Sequence, residues 1–130
     1  MPASGDVLLD TSVVIPFFKG DKVIAAQLAD ATIYLPQTVL GELYCGTYLS
    51  ANPAKNRNEI QNFLAAVTVL SLGIATAEHY GQIRAALAKA GTPIPENDIW
   101  IAALAVEHGL PLAARDAHFD KIAGLKILKW

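Results

Sequence analysis

The chain has 130 residues, 53% hydrophobic and 17% charged, with a formal net charge of −2 and a mean hydropathy of +0.35. This length suits one domain that buries most of its apolar surface without disulfide or metal staples, and the composition excludes intrinsic disorder. With 12 Asp+Glu against 10 Lys+Arg, there is no global basic footprint for nucleic acid, so a phosphate-rich ligand would need a local basic patch or bound cations.

Met1 to Asp6 carry neither a basic cluster nor an apolar stretch; no secretory signal is read there, and residues 1–5 are expected as a loose tail. Val7-Leu8-Leu9 reads as a buried strand, and Asp10-Thr11-Ser12 as the start of an apolar helix to Phe18 with Pro16 near its first turn. Lys19-Gly20-Asp21 breaks that helix, and Lys22 to Ala29 is helical again. Ile33-Tyr34-Leu35 is a second strand. Gln37 to Leu49 follows as a helix with Val39, Leu40, Leu43, Tyr44 and Thr47 on one face. Cys45 in this helix is the single cysteine, which excludes internal disulfides and multi-cysteine zinc sites. It reads as a small core residue.

Asn52-Pro53 is a good N-cap and first-turn pair. The helix behind it places Ile60, Phe63, Leu64 and Val67 at one-face spacing, and Val67 to Leu72 turns into a strand. Ile74 to Ala90 is a long helix, with Tyr80, Ile83 and Leu87 inward and Gly91 just past its end. After the rigid loop Thr92 to Pro95, Asn97-Asp98 opens a helix to about His108, stopped by Gly109. It contains the longest apolar run, Ile99 to Val106, far below the about 20 residues of a membrane span. Leu110 to Ala114 is a strand despite Pro111, and Ile127-Leu128 a final edge strand. No repeat, low-complexity tract or linker divides residues 1–130, so a single domain is expected, in the cytoplasm and with no membrane partner.

The alternation of strand and helix argues for an α/β fold, a parallel sheet covered by helices on both faces. Strand C-termini and helix N-termini then share one edge, where ligands bind. Asp10 follows the first strand, Asp116 follows Leu110 to Ala114, Asp98 opens a helix, and Glu42 lies about a turn into the helix after the second strand. All four can converge on that edge. Like charges in one cleft raise one another's pKa. A hard divalent cation such as Mg²⁺ or Mn²⁺ resolves the repulsion and can activate water in phosphodiester hydrolysis. Each carboxylate also has a plainer reading. Asp10 and Asp98 are good helix caps, Glu42 lies off the apolar stripe beside Gly46 on an open face, and Asp116 suits an ordinary turn. The helix behind Asp98 is apolar on nearly all sides, so its end presents a partly desolvated carboxylate that the helix dipole helps keep ionised.

Val7-Leu8-Leu9-Asp10-Thr11-Ser12 resembles the opening of PIN-domain ribonucleases. Pro95 to Ala103, around Asp98, resembles the third acidic motif of their VapC-type toxin branch, and Ala114 to Phe119 with Ile122 and Gly124-Leu125 resembles the fourth. Val39-Leu40-Gly41-Glu42-Leu43 fits the second. The resemblance implies a three-layer α/β/α PIN-like domain with about five parallel strands. It further implies a Mg²⁺- or Mn²⁺-dependent endoribonuclease, the toxin of a bacterial toxin–antitoxin pair. By that analogy Asp10, Glu42, Asp98 and Asp116 form the catalytic and metal-binding set. Thr11, Ser12 and Asn97 support it, and Arg115 contacts substrate phosphate or sits in a surface ion pair. Ala114 departs from the family's usual Thr or Ser and would weaken support for Asp116.

Other residues read more plainly. His118 is open to acid–base chemistry, but packing beside Phe119 is the commoner role. His79 and His108 read as structural and Trp100 as core, while Lys19, Lys22, Arg84 and Lys89 offer local positive charge. The partners expected are an RNA substrate, a cognate antitoxin whose tail fills a groove, and a second copy of the chain, pairing through the helices Lys22 to Ala29 and Gln37 to Leu49. Two other functions compete. An aspartate-based phosphoryl-transfer enzyme would want a second Asp where Ser12 stands, or an early acidic pair. A non-catalytic PIN-like module binding protein or RNA would have lost acidic residues.

Overall fold

The computed structural model describes residues 5–130; apart from Gly5, the expected N-terminal tail lies outside the described residues. Five strands, β1 (Asp6–Leu9), β2 (Thr32–Pro36), β3 (Val67–Leu70), β4 (Leu112–Ala113) and β5 (Ile127–Leu128), form one sheet. All pairings are parallel, in the order β3-β2-β1-β4-β5. Six α-helices among the described residues flank it: α1 (Thr11–Phe18), α2 (Lys22–Leu28), α3 (Gln37–Tyr48), α4 (Pro53–Leu64), α5 (Ile74–Ala90) and α6 (Glu96–His108). A short 3₁₀ turn, Ala117–Lys121, links β4 to β5. This is the three-layer α/β/α fold expected.

Val7, Leu8 and Leu9 are buried because β1 is the central strand, and a strand covered on both faces needs an unbroken apolar run. From β1 the chain steps outward through β2 to β3, then crosses back to lay β4 on the far side of β1. Right-handed crossovers put the helices of the outward and return journeys on opposite faces. The strand order therefore reverses between β1 and β4, and the crevice outside their C-terminal ends is the natural ligand position.

α6 supplies much of the core. Ile99, Ile101, Ala102, Leu104 and Ala105 are buried, which explains its all-round apolar sequence. Gly109 ends it in a left-handed conformation (φ 64°), letting the Leu110 N–H donate to Ala105 O at 2.9 Å. Among the described residues no helix is long and apolar enough to cross a membrane.

Several boundaries differ from expectation. β4 spans only Leu112–Ala113: Pro111 has no N–H to give a ladder, although its carbonyl accepts from Leu8 N–H at 2.9 Å. β3 stops at Leu70 rather than Leu72. α6 begins at Glu96 with extended Pro95 as its cap, so Asp98 lies in the first turn and does not open the helix. Pro95 brings this about because its φ is preset and its carbonyl accepts from Asp98 and Ile99 N–H. Cys45 is exposed, not core, since α3 turns only its Val39, Leu43 and Thr47 edge fully inward.

Candidate active site at the C-terminal edge of the sheet

Asp10 ends β1 and caps α1. Its backbone is extended (φ −84°, ψ 159°), and its carboxylate accepts the Ser12 N–H at 3.1 Å and the Ser12 hydroxyl at 2.6 Å. Only 4% of the residue is exposed. A buried carboxylate needs such partners to remain charged. Ser12 also works in the other direction: its Oγ accepts the Arg115 backbone N–H at 2.9 Å. One hydroxyl thus joins the chain after β4 to the carboxylate at the end of β1.

The other three carboxylates reach the same edge from separate elements. Glu42, half-way along α3, accepts the Thr11 hydroxyl at 3.2 Å. Asp98, in the first turn of α6, has a side chain only 14% exposed, and its Oδ2 lies 2.9 Å from His118 Nδ1. Asp116 caps the 3₁₀ turn by accepting the His118 N–H at 2.9 Å, and its Oδ1 lies 3.0 Å from the same Nδ1. Phe119, fully buried beside them, pins the turn to the core.

Electrostatics confirm the proximity. Burial foremost, then the charges of Asp10 and Asp98, raise the Glu42 carboxyl above its ordinary 4.5 against the Thr11 hydrogen bond. Burial likewise leads in raising Asp98 above 3.8, with Asp10 and Asp116 adding to it and His118 opposing. The partly desolvated carboxylate expected at this end of α6 is thus present, its burial outweighing the His118 hydrogen bond. The edge combines oxygen donors with excess negative charge, which suits a hard divalent cation. Asp98, Asp116 and His118 offer ligand atoms all within 4.8 Å of one another.

The remaining expected residues divide. Thr11 and Ser12 bond to Glu42 and Asp10 as above. Asn97 is exposed on α6. Arg115 is occupied: its Nη2 lies 3.1 Å from Asp21 Oδ2 and its Nε donates to Trp130 O at 2.8 Å. This is the ion-pair reading, and Asp21, which has no signal in the sequence, is its partner. His118 does not merely pack beside Phe119; its ring sits between two carboxylates. The available signal was its position two residues after Asp116, ahead of an apolar anchor. Trp100 is half-buried and stacks on Tyr80 with ring centroids 3.9 Å apart. Arg84 is held by Tyr80 and Glu96.

The PIN domain family matches residues 7–125 of this chain. The chain belongs to the PIN-domain family. Within it, this PIN-domain chain falls among the VapC ribonucleases. It is 33% identical over 127 residues to Ribonuclease VapC2 of Haemophilus influenzae, covering 95% of this chain and 96% of that protein. It is 31% identical over 127 residues, with the same coverage, to the tRNA(fMet)-specific endonuclease VapC of Shigella flexneri. Its fold matches VapBC-1 from nontypeable Haemophilus influenzae with a TM-score of 0.87 at 27% identity, covering 96% of this chain and 98% of that one. DNA-bound VapBC from Salmonella typhimurium gives 0.86 at 28%, covering 98% and 99%. The fold is thus that of a VapC-type PIN domain.

Proposed function

We propose that this VapC-family chain, acting as one domain over 1–130, is a divalent-metal-dependent endoribonuclease and the toxin of a toxin–antitoxin pair. The observation that carries the reading is the convergence of Asp10, Glu42, Asp98 and Asp116 on the β1–β4 switch point from four separate elements. It supports this over an aspartate-based phosphotransferase, because Ser12, not a second aspartate, sits against Asp10. Asp10, Glu42, Asp98 and Asp116 would hold Mg²⁺ or Mn²⁺. Bound there, the cation would offset the carboxylate charge, lower the pKa of a water and stabilise charge on the leaving oxygen.

The chain's own groups have distinct tasks. Ser12 orients Asp10, and Thr11 holds one oxygen of Glu42. The Glu42 oxygen not bonded to Thr11 would face the ion, and the proton of the attacking water would pass to solvent. Cleavage breaks the phosphorus–oxygen ester bond, and the leaving oxygen takes a proton from solvent. A groove of about 400 Å³ runs from Glu42 between α1, α3 and α4, lined by apolar Ile15, Phe18 and Leu43 and by polar Lys19, Asn56 and Glu59 among others. It would receive an antitoxin segment, and the solved VapBC relatives support such a partner. Val23 on α2 and Tyr48 on α3, 58% and 62% exposed, support a homodimer through those helices. The expected compartment is the cytoplasm.

The test is RNA cleavage by the purified chain, freed of partner, with Mn²⁺ or Mg²⁺. The expected result is cleavage that is lost with EDTA and in Asp10→Asn, while the variant's circular dichroism matches the wild type. Wild-type rates in Asp10→Asn would overturn the site. Neither cleavage nor metal binding would favour the binding-only module.

A further inference from the structure

We propose that His118 is a direct nitrogen ligand of the active-site cation. With Asp98 and Asp116 it would make a mixed oxygen–nitrogen set that favours Mn²⁺ over Mg²⁺. The proposal rests on the metal-dependent reading above and adds to its four carboxylates a residue of a different chemical class.

Three observations carry it. First, the imidazole is aimed at the cluster and not past it: Nδ1 stands 2.9 Å from Asp98 Oδ2 and 3.0 Å from Asp116 Oδ1. Neighbouring ligands in an octahedral sphere with bonds of about 2.1 Å are about 3 Å apart; Nδ1 stands at that spacing from both carboxylate oxygens, and all three ligand atoms lie within 4.8 Å of one another. Second, the ring is fixed at its base. The His118 N–H is held by Asp116 at 2.9 Å, and Phe119 next to it is fully buried. Third, the ring stays 44% exposed in its side chain, so an arriving ion can meet it without opening the core.

Without an ion, Nδ1–H donates to Asp98 Oδ2; an arriving ion takes the place of that hydrogen, with the ring proton then on Nε2. Imidazole nitrogen suits transition ions, whereas Mg²⁺ prefers oxygen and retains its waters. The selectivity follows from this difference.

The deciding experiment is electron spin-echo spectroscopy of Mn²⁺ bound to the purified full chain in a nitrogen-free buffer. Histidine-only ¹⁵N labelling identifies the source of any nitrogen coupling. A directly coupled histidine nitrogen is expected in wild type and absent in His118→Ala. Calorimetry is expected to show Mn²⁺ affinity falling roughly tenfold or more in His118→Ala, with Mg²⁺ affinity changed far less. Asp98→Asn serves as the control that the signal belongs to this site and not to His79 or His108. Mn²⁺ bound without histidine coupling would overturn the proposal while leaving the metal-dependent reading intact. Absence of any Mn²⁺ binding would overturn both. The wild-type spectrum decides the matter even if a variant fails to fold.

Discussion

Glu42 lies off the apolar stripe of α3, which leaves its carboxyl facing Asp10 and Asp98 instead of the core. Its proton affinity is raised, so the folded chain binds a proton there more readily than the unfolded chain. Stability associated with this group is therefore present at low pH and is lost as pH rises from 4.5 through the raised value. Without divalent cation, Glu42→Gln should unfold at higher urea than wild type at pH 7, and the advantage should vanish below pH 4.5. An unchanged midpoint at pH 7 would show that neither burial nor the neighbouring charges penalise the ionised carboxyl. At this scale the four carboxylates were legible in the sequence, because strand ends and helix starts announce themselves through apolar runs and caps. Two features were not. Arg115 pairs with Asp21, and His118 bridges to Asp98. Both contacts join distant segments that no local spacing encodes, and side-chain direction in a 3₁₀ turn has no periodic signature.

The 3₁₀ turn is the smallest element of the site and the one most dependent on a single anchor. Asp116 caps it, His118 stands on it and Phe119 holds it down. Phe119→Ala should cost about 3–5 kcal/mol through the cavity it leaves, measurable by urea unfolding. It should also weaken divalent-ion binding, since two of the clustered groups lose their footing. A stable variant with unaltered ion affinity would mean that the turn is held elsewhere. Element existence and order were legible throughout, from the helical stripe of α3 to the continuous run of α6. Two boundaries failed where proline intervened. Pro111 shortened β4 by removing a ladder donor, and Pro95 started α6 early by supplying a preset cap.

Across the whole molecule, the parallel sheet and its reversal of strand order bring groups from both ends of the chain to one crevice. The alternation of strands and helices made that architecture legible, whereas the groove beside Glu42 was not, because its shape depends on how α1, α3 and α4 tilt. If the crevice binds an ion only when folded, Mn²⁺ should stabilise the protein by about 2.7 kcal/mol at a hundred-fold excess over its dissociation constant. Thermal unfolding should show the gain in wild type, reversed by EDTA and absent in Asp10→Asn. An equal gain in the variant would place the ion elsewhere. The Ser12–Arg115 hydrogen bond spans 103 positions of sequence, and this has a bearing on synthesis. A ribosome releases Asp10 long before β4, Asp116 and His118. A nascent chain that has not reached β4 therefore carries disconnected carboxylates and no assembled centre. For a protein that would cut RNA, the topology works as a timer: no centre can form until the segment from β4 to His118 has emerged, and an inhibitor need act only on chains past that point.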